Sequence, residues 1–312
     1  MKKSVCLIIF FVVAALLLMT ACSGGGPAPT KGPVSVGSKI DTEGGLLAQM
    51  IIAMLSNNGF DTIDKSQFGP TSVVRAAIIS GELDIYPEYT GNGAFFFDEA
   101  DSPVWKNGQQ GYDRVKELDK SKNNIVWLTP ARANNTWAIA VPKALAASEH
   151  LVTLDDFAAY VKRGGKVKLI GSEEFVTSAA ALPSFEQAYG FTLKQDQLVT
   201  VSSGGTAQTE KAASEGTDGV NAAMAYGTDG GLSAFGLVVL ADPRGVQPVY
   251  WPTPIIRGAV YDKYPEIGTI LAPVFESLDL EMLQTLNGKI DIEGLSPVDV
   301  ANNYLTQKNF LK

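Results

Sequence analysis

Gly81-Glu-Leu-Asp-Ile-Tyr-Pro-Glu-Tyr-Thr-Gly-Asn-Gly-Ala-Phe-Phe-Phe97 reads as a strand running into a turn. Leu83 to Tyr86 has strand character, and Pro87, with no N–H to donate, is expected to end any regular ladder. Tyr89-Thr90-Gly91-Asn92-Gly93 follows, a run of turn formers carrying an aromatic ring, a hydroxyl and an amide. Phe95, Phe96 and Phe97 are apolar enough to pin the segment against a core. Such groups, at a strand end and on a loop that needs glycine, suit the wall of a ligand pocket.

Outward from this stretch, strands and helices alternate. Val34 to Ser38 reads as a strand. Glu43 to Asn58 carries apolar residues at helical spacing, with Asp41 or Thr42 as cap and Gly59 as terminator. Pro70 to Ser80 begins with proline at a first-turn position and stops before Gly81. Further strands are expected at Trp137–Val141, Val167–Ile170, Leu198–Ser202, Val220–Ala225 and Leu237–Leu240. Helices are expected at Leu154–Arg163 and Thr206–Ser214, and three more at Pro265–Leu278, Leu280–Leu286 and Pro297–Phe310. The pattern is α/β, read as parallel strands covered on both faces.

The N-terminus has a different character. Lys2 and Lys3 precede an apolar run from Val5 to Leu18, of signal-peptide length and short for a membrane span. Met19-Thr-Ala-Cys22 resembles the lipobox of bacterial lipoproteins, with Met19 where Leu is usual. Residues 1–22 are therefore expected to be a lipoprotein signal peptide that leaves a lipidated Cys22, followed by a flexible Gly/Pro/Ser tether over 23–33. This implies a periplasmic or cell-surface protein that meets the membrane only through that lipid. Cys6 and Cys22 are the two cysteines of 312 residues, so no disulfide or Cys-based metal site remains in the folded part. Loss of Lys2 and Lys3 takes the formal net charge from −8 to −10. With no basic run longer than two residues, nucleic acid is not an expected partner.

Enzyme signatures are scarce. His150 is the single histidine, in a polar Ala-Ser-Glu-His-Leu context that reads as solvated surface. A His-rich metal site is excluded and a Ser-His-Asp arrangement disfavoured. No GxSxG, P-loop or strand-following GxGxxG occurs. The acid pairs Glu82/Asp84 and Asp155/Asp156 read as solvated faces. Neither a cofactor nor a metal is expected, and the protein is read as a non-enzyme.

Four motifs carry a resemblance. They are Val36-Gly-Ser-Lys39, Gly81 to Phe97, Asn134-Asn-Thr-Trp-Ala-Ile-Ala-Val141 and Ala223-Met-Ala-Tyr-Gly-Thr-Asp-Gly230. In this order the chain resembles the osmoprotectant-binding subunits of ABC importers, which bind glycine betaine, choline and related quaternary amines. It is most similar to the low-affinity, stress-induced glycine betaine binders. The resemblance implies a type II periplasmic-binding-protein fold, two lobes joined by two crossovers with ligand in the cleft. Lobe one would comprise 34–134 and 235–312, and lobe two 135–234. The crossovers would fall near Ala133-Asn134-Asn135 and Asp229-Gly230-Gly231.

The ligand chemistry implied has a physical basis. A trimethylammonium group has no N–H to donate, whereas the face of an aromatic ring attracts it by about 0.5–2 kcal/mol once dry. The resemblance assigns Tyr89, Trp137 (where the family often has Tyr) and Tyr226 to such a cage. No aromatic lies between Ser202 and Ser214, so a fourth ring has no assigned place. Lys39 and Asn92 match positions that touch the ligand carboxylate in relatives, and Thr228 belongs to the Ala-Tyr-x-Thr-Asp motif. Relatives carry an Arg shortly after a Glu-Phe pair; here Glu174-Phe175-Val176-Thr177 leads to Ser178. Gly204-Gly205-Thr206 at a helix start, or Arg132, are alternative carboxylate donors.

The reading favoured by these features is a monomeric solute-binding protein that captures a quaternary amine for an ABC permease and its ATPase. Alternatives are a binder of another trimethylated or zwitterionic small molecule, an enzyme on the same two-lobe architecture, and a sensor or scavenger without a transport partner.

Overall fold

The computed structural model describes residues 31–201 and 206–311. The first lobe opens with β1 (Lys31–Lys39), α1 (Thr42–Asn57), β2 (Phe60–Gly69), α2 (Thr71–Ser80) and β3 (Ile85–Tyr89). A 3₁₀ turn over Thr90–Asn92 leads through α3 (Gly93–Phe96) to α4 (Gly108–Asn123) and β4 (Ile125–Trp127). The second lobe holds β5 (Trp137–Pro142), α5 (Lys143–Glu149), α6 (Leu154–Lys162), β6 (Leu169–Ser172), α7 (Glu173–Thr177) and α8 (Leu182–Tyr189). It continues with β7 (Leu198–Val201), α9 (Thr206–Glu215), β8 (Ala222–Tyr226), α10 (Gly230–Ala234) and β9 (Leu237–Val239). The chain returns to the first lobe as β10 (Pro252–Arg257), α11 (Gly258–Lys263), α12 (Glu266–Glu276), α13 (Leu280–Asp291) and α14 (Pro297–Gln307).

Local chemistry explains the helix ends. The Asp41 carboxylate accepts the Gly44 N–H at the start of α1, and Gly59 just beyond it takes a positive φ of 79°. Gly81 closes α2 in the left-handed region at φ 88°, which a glycine adopts without strain. Along α1, Leu46, Leu47, Met50, Ile51 and Leu55 are fully buried between the first sheet and the C-terminal helices. A second core around Phe157, Phe175 and Phe185 fills the other lobe.

Each lobe is built on a five-stranded sheet, of order β2-β1-β3-β10-β4 in the first and β7-β6-β8-β5-β9 in the second. Both are mixed rather than parallel. β10 runs antiparallel to β3 and β4, and β5 antiparallel to β8 and β9. The reversed strands are the first ones the chain lays down after each crossover.

Three expectations need correction. Pro87 does not end β3: it lies opposite Pro254, and a pair in which neither residue has an N–H suits a non-hydrogen-bonded position of the ladder. The boundary at 234/235 divides the second sheet, because β9 pairs with β5; the return crossover therefore follows Val239 and precedes Pro252, instead of falling at Asp229-Gly230-Gly231. Lys31 to Pro33, expected as the end of the tether, belong to β1. β2, β4 and β10 and helix α4 were not legible as elements. The signal peptide and Cys22 lie outside the described residues. Among those residues no helix is long and apolar enough to cross a membrane.

The two crossovers lie side by side. Leu128 and Ala131 N–H donate to the Pro254 and Pro252 carbonyls, and Asn135 N–H to the Tyr250 carbonyl. In return Tyr250 N–H donates to Asn134 Oδ1 at 2.8 Å, and the Thr136 hydroxyl to the Pro248 carbonyl at 3.1 Å.

Candidate functional site

Between the lobes lies a cleft of about 680 Å³, a size usual for small-molecule sites. Topology makes it. The parallel strands β1, β3 and β8 end at the cleft with Lys39, Tyr89 and Tyr226, and Glu174, just beyond β6, also lines it. The antiparallel β5 and β10 begin there, so Trp137 and Tyr250 arrive from the opposite direction. The C-terminal edge of a parallel sheet is where open α/β folds gather ligands.

All seven residues singled out for ligand contact (Lys39, Tyr89, Asn92, Trp137, Thr206, Tyr226 and Thr228) line this one cleft. Arg132 does not: it is solvent-exposed, its guanidinium 5.7 Å from the Trp251 ring centroid. Ser178 also lies off the lining, whereas Glu174 is part of it. His150 is exposed and closes α5 with a positive φ of 57°. Asp84 pairs with Arg257, and Asp156 caps α6.

On the second lobe Trp137 and Tyr226 face each other across the β5–β8 ladder. Their rings lie 6.4 Å apart at 22°, and Trp137 Nε1 donates to the Tyr226 hydroxyl at 2.9 Å. Phe175 props Trp137 edge-on at 6.3 Å. Burial pushes the Tyr226 phenol up to about 12, so it is neutral at physiological pH.

On the first lobe Tyr89 is 6% exposed, and its hydroxyl donates to Glu43 Oε1 at 3.0 Å. Glu43 also accepts from Asn135 Nδ2 at 3.0 Å and Asn287 Nδ2 at 2.9 Å. Burial holds the Glu43 carboxyl above the usual range, against the pull of these hydrogen bonds. A fourth ring, Tyr250, sits between the lobes. It packs on Gly91, where a Cβ would lie 2.7 Å from its ring carbons. Phe95, 57% exposed, completes the aromatic lining.

The polar end differs from expectation. Lys39 and Asn92, read as receptors for a ligand carboxylate, both serve Glu88, which is fully buried. The Lys39 ammonium forms an ion pair with Glu88 Oε1, and Asn92 Nδ2 and Tyr89 N–H each donate to that oxygen at 2.7 Å. The Tyr86 hydroxyl donates to Oε2 at 2.8 Å. The Lys39 ammonium also lies 4.7 Å from the Tyr89 ring centroid. Asp229 accepts the Tyr226 N–H at 2.6 Å. Behind it Glu210 is fully buried, neither carboxylate oxygen partnered among the described residues. Burial, with the Asp229 charge beside it, raises its pKa.

Five carboxylates therefore line the cleft (Asp41, Glu43, Glu174, Asp229 and Asp291) against the single ammonium of Lys39. No described cluster of His, Cys, Asp or Glu could hold a metal ion. Sequence reasoning missed Glu43, Tyr250 and the role of Glu88. Glu88 lay inside the opening stretch and Glu43 in a helix's first turn. Tyr250 precedes a strand that the sequence did not announce.

Comparison with known proteins agrees with this geometry. Residues 32–307 match the family model for the substrate binding domain of the ABC-type glycine betaine transport system, OpuAC. The chain is 54% identical over 286 residues to the glycine betaine-binding protein YehZ of Escherichia coli, covering 92% of this chain and 94% of that one. It is 30% identical to a glycine-betaine-binding protein of Pseudomonas aeruginosa, over 88% of each chain. The solved structure of apo YehZ superposes with a TM-score of 0.80, covering 89% of this chain and 99% of that one at 55% identity. The chain thus belongs to the OpuAC family, the substrate-binding domains of ABC-type glycine betaine transport systems.

Proposed function

We propose that this protein captures a quaternary ammonium osmolyte, such as glycine betaine or choline, in an aromatic cage and delivers it to an ABC permease. Lipid on Cys22 anchors it, as a monomer, to a bacterial membrane, in the periplasm or at the cell surface. The observation that carries the reading is the convergence of Tyr89 from one lobe, Trp137 and Tyr226 from the other and Tyr250 from the crossover on one acidic cleft. Ring faces supply attraction that a cation without N–H groups can use, and the surplus of carboxylates adds a negative field. The relatives that bind glycine betaine support the same ligand class.

The test is isothermal titration of the purified protein, from Cys22 onward, with glycine betaine, choline and trimethylamine-free controls such as glycine and ethanolamine. Saturable binding of a trimethylated compound, with none of the controls, is the expected result. Absence of saturable heat for every quaternary amine up to on the order of 10 mM would overturn it.

A further inference from the structure

A second cavity, of about 720 Å³, lies between the lobes behind their connections. The residues of each connection divide between the two cavities. On the crossovers, Asn135 and Tyr250 line the ligand cleft, whereas Asn134, Thr136 and Val249 line the rear cavity. On α13, Asn287 faces the cleft and Gln284 the rear. The line through the connections therefore runs between the cavities. A hinge rotation about that line cannot narrow both: as one closes, the other opens. At about 680 and 720 Å³ neither side is shut.

We propose that the rear cavity is a counterbalance: its width, held by Gln284, sets how readily the cleft closes on ligand. The proposal rests on the quaternary-amine reading only for the ligands that test it. On the α13 side the fulcrum is the packing of Gly288 against Gly230, backbone to backbone. Gln284 stands one turn before Gly288, on the rear side of that contact. Its Nε2 donates across the lobes to the Gly227 carbonyl at 2.8 Å. Rotation that closes the cleft widens the rear and lengthens this bond, so the bond holds the cleft open. Gln284 does not line the cleft, and a change there leaves the cage rings in place. It acts on the fraction of molecules that are closed, and the apparent dissociation constant is the intrinsic one divided by that fraction.

Two variants test this. Gln284→Ala cuts the tie; Gln284→Trp cuts it and, because position 284 is half-buried, sets a ring between α13 and the second lobe. Glycine betaine and choline are titrated calorimetrically into parent and variants. Gln284→Ala should bind both at least about threefold more tightly than the parent. Gln284→Trp should bind both about tenfold more tightly. The factor should be the same for the two ligands, since a shift in the closed fraction multiplies both affinities alike. Unchanged or weaker binding would overturn the inference, and so would tightening of one ligand alone, which would place the effect in the cage. Small-angle scattering without ligand supplies the second arm: Gln284→Trp should have a smaller radius of gyration than the parent. If the parent binds neither ligand, the quaternary-amine reading falls, and the scattering arm still decides this inference, an equal radius overturning it. Should Gln284→Trp fail to fold, Gln284→Ala decides by the same criteria.

Discussion

Gly230 of the second lobe rests against Gly288 of the first, backbone on backbone: a Cβ on Gly230 would stand 2.1 Å from the Gly288 nitrogen. The approach lets α13 reach the other lobe beside the cleft. Asn287 Nδ2 donates to Glu43 and to the Thr228 carbonyl, each at 2.9 Å, and Gln284 Nε2 donates to the Gly227 carbonyl at 2.8 Å. A helix of the first lobe is thus a third link between the lobes, beside the two crossovers.

Gly230→Ala should be destabilising for that reason. The added methyl drives α13 from α10 and strains the bonds made by Asn287 and Gln284. Overpacking of this kind costs about 1–3 kcal/mol. Thermal melting of the free protein measures it, and an unchanged midpoint would mean that the two helices part freely.

The ring at position 89 is expected to hold the cation by its face. Tyr89→Ala should abolish measurable binding, since it forfeits about 1–2 kcal/mol of cation–π attraction and admits water. Tyr89→Phe should keep most of the binding. It removes one of the hydrogen bonds to Glu43 and should lower stability by about 1 kcal/mol. Titration and melting are read together. Full binding by an alanine variant that melts like the parent would exclude Tyr89 from the cage.

Tyr250→Leu tests the ring on the crossover. Leucine keeps apolar bulk over Gly91 and removes the aromatic face. Affinity for choline should fall by about threefold to thirtyfold, with the melting midpoint held within about 1 °C. Unaltered affinity would make Tyr250 a wall and not a ligand.

Ligand should draw the lobes together, because Tyr89 stands on one and Trp137 on the other. A cation between them favours the closed state only by binding it better than the open one. Small-angle scattering with saturating choline should show a smaller radius of gyration than without. An unchanged radius would argue against a bridging cation.

The buried acids set a pH dependence. Burial raises the carboxyl pKa values of Glu210, Asp229 and Glu43 above their ordinary ones. An acid raised on folding holds its proton more tightly in the folded state. Its stabilising contribution is full below the ordinary value, 4.5 for Glu210, and is lost as pH rises through the raised one. The parent should therefore lose melting temperature from mildly acidic to mildly alkaline pH. Glu210→Gln should lose less, by at least about 2 °C. Equal slopes would show that Glu210 is not the group responsible.

Much of the site was legible in the chain because its signals are local. Tyr89, Trp137 and Tyr226 each sit at the cleft end of a strand within a short motif, and each motif could be read without knowing its neighbours. Helix ends were legible for the same reason: Asp41 and Gly81 act on residues within four positions of themselves. Strand β10 was not, because Pro252 and Pro254 weaken its strand pattern and its ladder is supplied by β3 and β4, far away in sequence.

The sequence by itself determined the α/β class, the order of most elements and the rings that face the cleft. Tertiary structure alone decided where the chain recrosses, that Tyr250 joins those rings, and that Lys39 and Asn92 are bound to Glu88. The reason is physical. Side-chain periodicity and capping depend on the nearest few residues. The partner of a buried charge, and the ring that packs on Gly91, are chosen by chain segments that meet only when both sheets and both crossovers have formed.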